Sequence, residues 1–88
     1  MTPPMTPPAT GLVTIYSTEW CGYCHRLAAQ LDRAGVAYTE IDIEQDPAAA
    51  ALVMSVNGGN RTVPTVVFED GTALTNPSLK QVLEKISR

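Results

Sequence analysis

Apolar and polar residues in the first half of this chain follow two patterns, one typical of strands and one of helices. Residues 12–16 form a short run of β-branched and aromatic side chains, which predicts a first strand. From Cys24 onward the apolar positions recur every three or four residues, which is the spacing of one helix face, until Gly35 supplies a left-handed stop. Residues 36–43 then predict a second strand.

The middle of the chain predicts a second helix and a third strand. Asp46 is a side-chain cap followed by proline at the first helical position, so a helix is predicted from Pro47. Its alanine-rich body continues to residues 57–59, where an asparagine and two glycines end it. Residues 65–68 predict a third strand, and residues 69–71 are typical of a tight hairpin turn.

The last part of the chain predicts a short strand and a final helix. Residues 72–74 complete the hairpin, and Asn76 with Pro77 repeats the cap-and-proline device before an apolar stripe at helical spacing. The predicted order is β-α-β-α-β-β-α, and the helix between the first two strands makes them parallel. This order is the minimal thioredoxin-like α/β plan, a four-stranded mixed sheet with three helices.

Composition fits one small domain and excludes several classes of partner. Residues 1–10 repeat Met-Thr-Pro-Pro, which predicts a disordered tail before a domain at residues 11–88; a proline-rich ligand for a partner is the alternative. The net charge is −3 and the six basic residues are scattered, so we expect neither nucleic acid nor membrane as a partner. No apolar run is long enough to span a bilayer and no secretory signal pattern is present, so we expect the protein in the cytoplasm. We also expect it to be a monomer.

The chain has two cysteines, Cys21 and Cys24, placed where the first predicted helix begins. This spacing lets one sulfur attack a disulfide while the other resolves the product. The helix dipole and the unpaired amides of the first turn favour an anion at Cys21, whereas Cys24 lies further inside the helix and is less exposed. We therefore predict Cys21 as the nucleophile and Cys24 as the resolving thiol. The alternative is a structural or metal-binding pair, but a structural zinc site needs four ligands and few candidates remain.

Two neighbouring features add to this prediction. His25 completes the pattern of c-type haem attachment, but that interpretation requires export and a haem cavity, so a solvent-facing helix residue is expected instead. Val63 precedes Pro64 at the start of the third strand. In a thioredoxin-like fold this proline is cis, and Val63 then offers its backbone N–H and C=O to an extended substrate. The alternative is an ordinary proline at a strand entrance.

These residues resemble the glutaredoxins. The resemblance rests on Tyr16 and Ser17, on the cysteine pair with Tyr23 at its third position, and on the segment 62–64. It covers the chain from about residue 12 to its end. Residues 20–24, 55–65 and 74–78 are similar in particular to the mycoredoxins, the actinobacterial branch that uses mycothiol.

Departures from the pattern of ordinary glutaredoxins also favour a resemblance to the mycoredoxins. The lysine common three residues before the first cysteine is Thr18, and the glycine pair that admits a glutathione carboxylate falls at Leu74 and Thr75. Pro77 has no amide N–H to bind a carboxylate. Mycothiol is a cysteinyl pseudodisaccharide, and the resemblance implies a polar groove for its hydroxyls, although capping or solvation explains each polar residue equally well. The groove is predicted from Trp20, Tyr23, Asn60, Arg61, Thr62, Val63, Pro64, Thr75, Asn76 and Ser78.

The resemblance implies a thiol–disulfide oxidoreductase that reduces protein–mycothiol mixed disulfides through Cys21 alone, with mycothiol as co-substrate and no bound cofactor or metal. Its expected partners are S-mycothiolated proteins. One alternative is a dithiol redoxin that needs Cys24, is reduced by a flavoenzyme and serves ribonucleotide reductase or protein disulfides. Another is an iron–sulfur carrier with a cluster bridged by two copies of Cys21. Glutaredoxins of that type usually have serine at the second cysteine, so Cys24 argues against it.

Overall fold

The predicted order of strands and helices is confirmed. A computed structural model describes residues 13–86, so the predicted tail at residues 1–10 lies outside the described part of the chain. Within the described residues, no helix is long and apolar enough to cross a membrane. The strands are β1 (Val13–Ser17), β2 (Thr39–Asp42), β3 (Thr65–Phe68) and β4 (Ala73–Thr75), and the helices are α1 (Gly22–Arg33), α2 (Pro47–Val56) and α3 (Leu79–Ile86).

The four strands form one mixed sheet in the order β2-β1-β3-β4. Strands β1 and β2 are parallel because α1 connects the end of one to the start of the other. Strand β3 runs antiparallel to both β1 and β4. In this arrangement Tyr16 pairs with Thr65, so the end of β1 lies beside the beginning of β3.

Two hydrophobic clusters hold helices on opposite faces of the sheet, as the alternation of side chains along a strand requires. Val13 and Ile15 of β1 belong to the cluster that includes buried residues of α1 and α3, and Tyr16 belongs to the one that includes α2. The first cluster contains Val13, Ile15, Leu27, Leu31, Val66, Phe68 and Val82, and the second contains Tyr16, Ile43, Ala49, Ala50 and Val53.

Strand β2 (Thr39–Asp42) is shorter at both ends than the predicted residues 36–43, and at its start the chain first completes the end of α1. Gly35 has φ 74°, as its predicted stop role requires, and its N–H donates to the carbonyl of Asp32. The N–H of Val36 donates to the carbonyl of Leu31, which completes a Schellman motif. The N–H of Val36 is therefore used by the helix end and is not available to pair with β1. The strand begins at Thr39.

The predicted cap of the last helix was wrong. Asn76 has φ 48°, a left-handed conformation that places it in the turn before the helix. The cap is Ser78, whose Oγ accepts the Gln81 N–H at 3.1 Å, while Gln81 Oε1 accepts the Ser78 N–H at 2.9 Å. This pair is a capping box. Strand β4 is likewise one residue later than predicted, because Thr72 is engaged in the turn through Asp70.

Candidate active site

Cys21 is the N-terminal cap of α1, at the carboxyl end of β1 where the sequence predicted it. Its backbone is extended, with φ −86° and ψ 106°, and its Sγ accepts the backbone N–H of Cys24 at 3.2 Å. Its own N–H donates to the carbonyl of Thr18 at 3.2 Å, which fixes the loop that leads into the helix. An amide donor and the positive end of the helix dipole therefore both face the sulfur, and both stabilise a thiolate.

Cys24 lies one turn into the helix and is completely buried, whereas Cys21 keeps 6% of its surface exposed. Both thiols are therefore buried, and Cys21 is the more accessible of the two. Burial, and then the hydrogen bond with Cys21, raise the pKa of the Cys24 thiol above its ordinary value, and a hydrogen bond from the backbone of Thr18 offsets this only in part. Cys24 therefore remains protonated at neutral pH, and both thiols are free.

Two aromatic side chains flank Cys21 in the sequence and are exposed, which is unusual for large apolar groups. Trp20 is 71% exposed and Tyr23 is 64% exposed. The indole Nε1 of Trp20 donates to the Glu44 carboxylate at 3.2 Å, so its ring is tied to the loop after β2. The Arg26 guanidinium lies 5.9 Å from the centre of the Tyr23 ring, within cation–π distance.

The segment before β3 has the geometry that the sequence predicted. The Val63–Pro64 peptide bond is cis. Pro64 is buried and Val63 is half-buried, packing against the cluster around Tyr16. Since Tyr16 pairs with Thr65, this segment reaches the same end of β1 from which the chain continues to Cys21.

A cavity of about 370 Å³, lined by both polar and apolar side chains, opens beside Tyr23, between α1 and the turn before α3. It brings together three of the residues predicted for the groove, Tyr23, Asn76 and Ser78. Sequence patterns missed the polar residues that α1 and α3 add, because those depend on how the two helices approach each other. The full lining is Tyr23, Arg26, Leu27, Gln30, Asn76, Pro77, Ser78, Leu79 and Gln81.

Other predicted groove residues lie outside this cavity. Asn60 and Arg61 are exposed, and the Asn60 side chain donates to the carbonyl of Asn57 at 3.2 Å. Thr62 is half-buried, and its carbonyl accepts the Thr65 hydroxyl at 2.7 Å. The Thr75 hydroxyl donates to Asn57 Oδ1 at 2.6 Å, so its hydrogen is not available to bind a ligand.

His25 is exposed, as predicted. Its Nε2 lies 2.6 Å from the carbonyl oxygen of Glu19, so this nitrogen carries a proton and donates. Among residues 13–86, no group of three or more His, Cys, Asp or Glu side chains is arranged to hold a metal ion.

A thiol at a helix N-terminus, a second thiol one turn further into that helix and a four-stranded mixed sheet form the arrangement that is typical of thiol–disulfide oxidoreductases with the thioredoxin fold. A family model described as glutaredoxin matches residues 13–73, so the chain belongs to the glutaredoxin family. A glutaredoxin-type protein of Mycobacterium tuberculosis is 58% identical over 88% of this chain and 92% of its own.

Further relatives agree with this assignment. Mycoredoxin 1 of Corynebacterium glutamicum is 53% identical over 84% of this chain and 91% of its own, so the resemblance to the mycoredoxins is confirmed. The crystal structure of a glutaredoxin from Archaeoglobus fulgidus superimposes with a TM-score of 0.70 at 26% identity. That alignment covers 89% of this chain and 87% of that one.

Proposed function

We propose that this enzyme reduces protein–mycothiol mixed disulfides through Cys21, with mycothiol as the reductant. The Cys21 thiolate attacks the mycothiol sulfur of the mixed disulfide, and the target protein leaves as a thiolate that takes up a proton. Cys21 then carries mycothiol in a new disulfide. A second mycothiol thiolate attacks the sulfur of that bound mycothiol, releases mycothiol disulfide and restores Cys21.

The different environments of the two sulfurs support a cycle that runs on Cys21 alone. Cys21 accepts an amide hydrogen bond at the helix N-terminus, which favours both its attack and its departure. Cys24 is buried and its pKa is raised, so at neutral pH it is a poor competitor for the Cys21–mycothiol disulfide. Formation of the Cys21–Cys24 disulfide is then a side route.

The choice of mycothiol over glutathione is supported by the amides before α3. Glutathione carries carboxylates that need N–H donors, and the three successive residues 76–78 have no free backbone N–H to donate. The Asn76 N–H donates to the carbonyl of Pro64 at 2.7 Å, Pro77 has no N–H, and the Ser78 N–H donates to Gln81. The side chains of the adjacent cavity suit hydroxyl groups instead. The identity with Mycoredoxin 1 agrees with this choice.

We further propose the partners, location and assembly state of the enzyme. The partners are S-mycothiolated proteins, and the proposed location is the cytoplasm, where thiols are kept reduced. The enzyme acts as a monomer, with mycothiol as co-substrate and no bound cofactor.

The proposal is tested by turnover of one peptide in mixed disulfides with mycothiol and with glutathione, each reduced by its own thiol. We expect kcat/KM with mycothiol to exceed the glutathione value by about tenfold or more, which is about 1.4 kcal/mol. The Pro77→Ala variant restores a backbone amide donor, so we expect it to reduce the difference in kcat/KM between mycothiol and glutathione. Equal or better turnover with glutathione in the wild-type enzyme would contradict the proposal.

A further inference from the structure

The side chain of Asn57, at the end of α2, bonds to three separate parts of the chain. Its Nδ2 donates to the carbonyl of Val53 at 2.8 Å, within α2, and to Thr65 Oγ1 at 3.0 Å, at the start of β3. Its Oδ1 accepts the hydroxyl of Thr75 at 2.6 Å, at the end of β4. One half-buried amide therefore joins the helix end to two strands.

The direction of every hydrogen bond in this network is determined. The carbonyl of Val53 can only accept, so the amide nitrogen of Asn57 must face it. The Thr65 hydroxyl donates its hydrogen to the carbonyl of Thr62 at 2.7 Å, so the hydroxyl oxygen must accept the hydrogen bond from Asn57. Thr75 must then donate to the amide oxygen. A carboxylate at position 57 would place an acceptor against the carbonyl of Val53 and would draw the Thr65 hydrogen away from Thr62.

The network ends on the segment that contains the cis proline. It fixes the carbonyl of Thr62 immediately before Val63, and it fixes Thr65 immediately after Pro64. On the other side, the N–H of Asn76 holds the carbonyl of Pro64 at 2.7 Å. The segment 62–64 is thus held at both ends by groups that themselves lie outside it.

We infer that Asn57 is a positioning residue for the thiol groove and, through Thr65, sets the segment 62–64 in the geometry that receives the substrate. The inference rests on the proposed function only in taking this segment as the surface for the thiol. It also gives Thr75 an indirect role, because its hydroxyl hydrogen serves Asn57. Neither residue needs to touch the thiol to affect its binding.

The test compares Asn57→Asp and Thr75→Val with the wild type in steady-state turnover, with mycothiol and with glutathione. Loss of a positioning hydrogen bond of about 1 kcal/mol predicts a KM for the thiol raised about fivefold in Thr75→Val, and by more in Asn57→Asp. The rate of Cys21 alkylation by iodoacetamide is expected to stay within about twofold, since the helix N-terminus is intact. If Asn57→Asp does not fold, Thr75→Val carries the test, because it removes one donor only.

Two control variants separate positioning from general loss of stability. Thr72→Val removes a hydroxyl that bonds only locally, to Asp70 in the exposed β3–β4 turn. Val82→Ala weakens the buried core at α3, away from the network. Both are expected to keep the wild-type KM. A KM that is unchanged in the network variants, or that rises equally in Val82→Ala, overturns the inference. If the KM for both thiols rises in the network variants and the wild-type enzyme shows no preference for mycothiol, the inference is supported while the proposed function is contradicted.

Discussion

At the scale of single residues, the start of α1 gives two identical side chains different chemistry. Cys21 is the cap just before the first helical residue, so an otherwise unpaired amide of the first turn points at its sulfur. Cys24 lies three residues later, inside the packed face of the helix and without contact with solvent. The pair is asymmetric because of its position along the helix, and no additional charged group is needed to explain it.

This asymmetry predicts selective alkylation. Because burial and the bond with Cys21 raise the pKa of Cys24, its reactive thiolate forms only in strongly alkaline solution. With limiting iodoacetamide at neutral pH, we expect Cys21 to react at least about tenfold faster than Cys24. Peptide mapping by mass spectrometry measures the ratio, and the denatured protein, in which both thiols react alike, is the control. Faster modification of Cys24 in the folded protein would show that the roles are reversed.

At the scale of elements, the ends of the helices decide where the site residues lie. Because α1 ends in a glycine-containing turn, β2 begins later in the chain than its apolar pattern predicts. Asn57 at the end of α2 forms a hydrogen bond with Thr65, next to the segment before β3. The capping box of α3 occupies the amide of Ser78, which leaves the cavity beside Tyr23 lined by side chains. These ends are where the structure departs from the pattern of apolar residues, because they depend on hydrogen bonds that such a pattern does not record.

The corrected cap of α3 gives a stability prediction. Replacing Ser78 with alanine removes the oxygen that accepts the Gln81 N–H, so we expect the free energy of unfolding to fall by about 1 kcal/mol. Ser55→Ala is the matched control, since that hydroxyl only bonds back to Leu52 within α2 and its loss should not lower stability. Urea denaturation followed by circular dichroism measures both. If Ser78→Ala is as stable as the wild type, the capping box does not stabilise α3.

At the scale of the whole molecule, the fold and the position of the cysteine pair were predictable, but most of the cavity lining was not. The apolar patterns and Gly35 are local signals that correctly predicted the element order, and the thioredoxin-like plan together with the cysteine pair correctly predicted the cis bond before Pro64. The network of Asn57 joins residues up to 18 positions apart, and the cavity joins two helices, so both exist only after folding. The apolar and polar pattern predicted Asn57 only as a residue that ends the second helix, and it did not predict the hydrogen bonds of its side chain.

The proposed catalytic cycle depends on exchange at Cys21 without the help of Cys24. The most direct test is turnover of a peptide–mycothiol mixed disulfide, with mycothiol as reductant, by the wild type and by the Cys21→Ser and Cys24→Ser variants. We predict that Cys24→Ser keeps turnover within about threefold of the wild type and that Cys21→Ser loses it by at least about a thousandfold. Equal loss in both variants would contradict the account and would favour a dithiol redoxin.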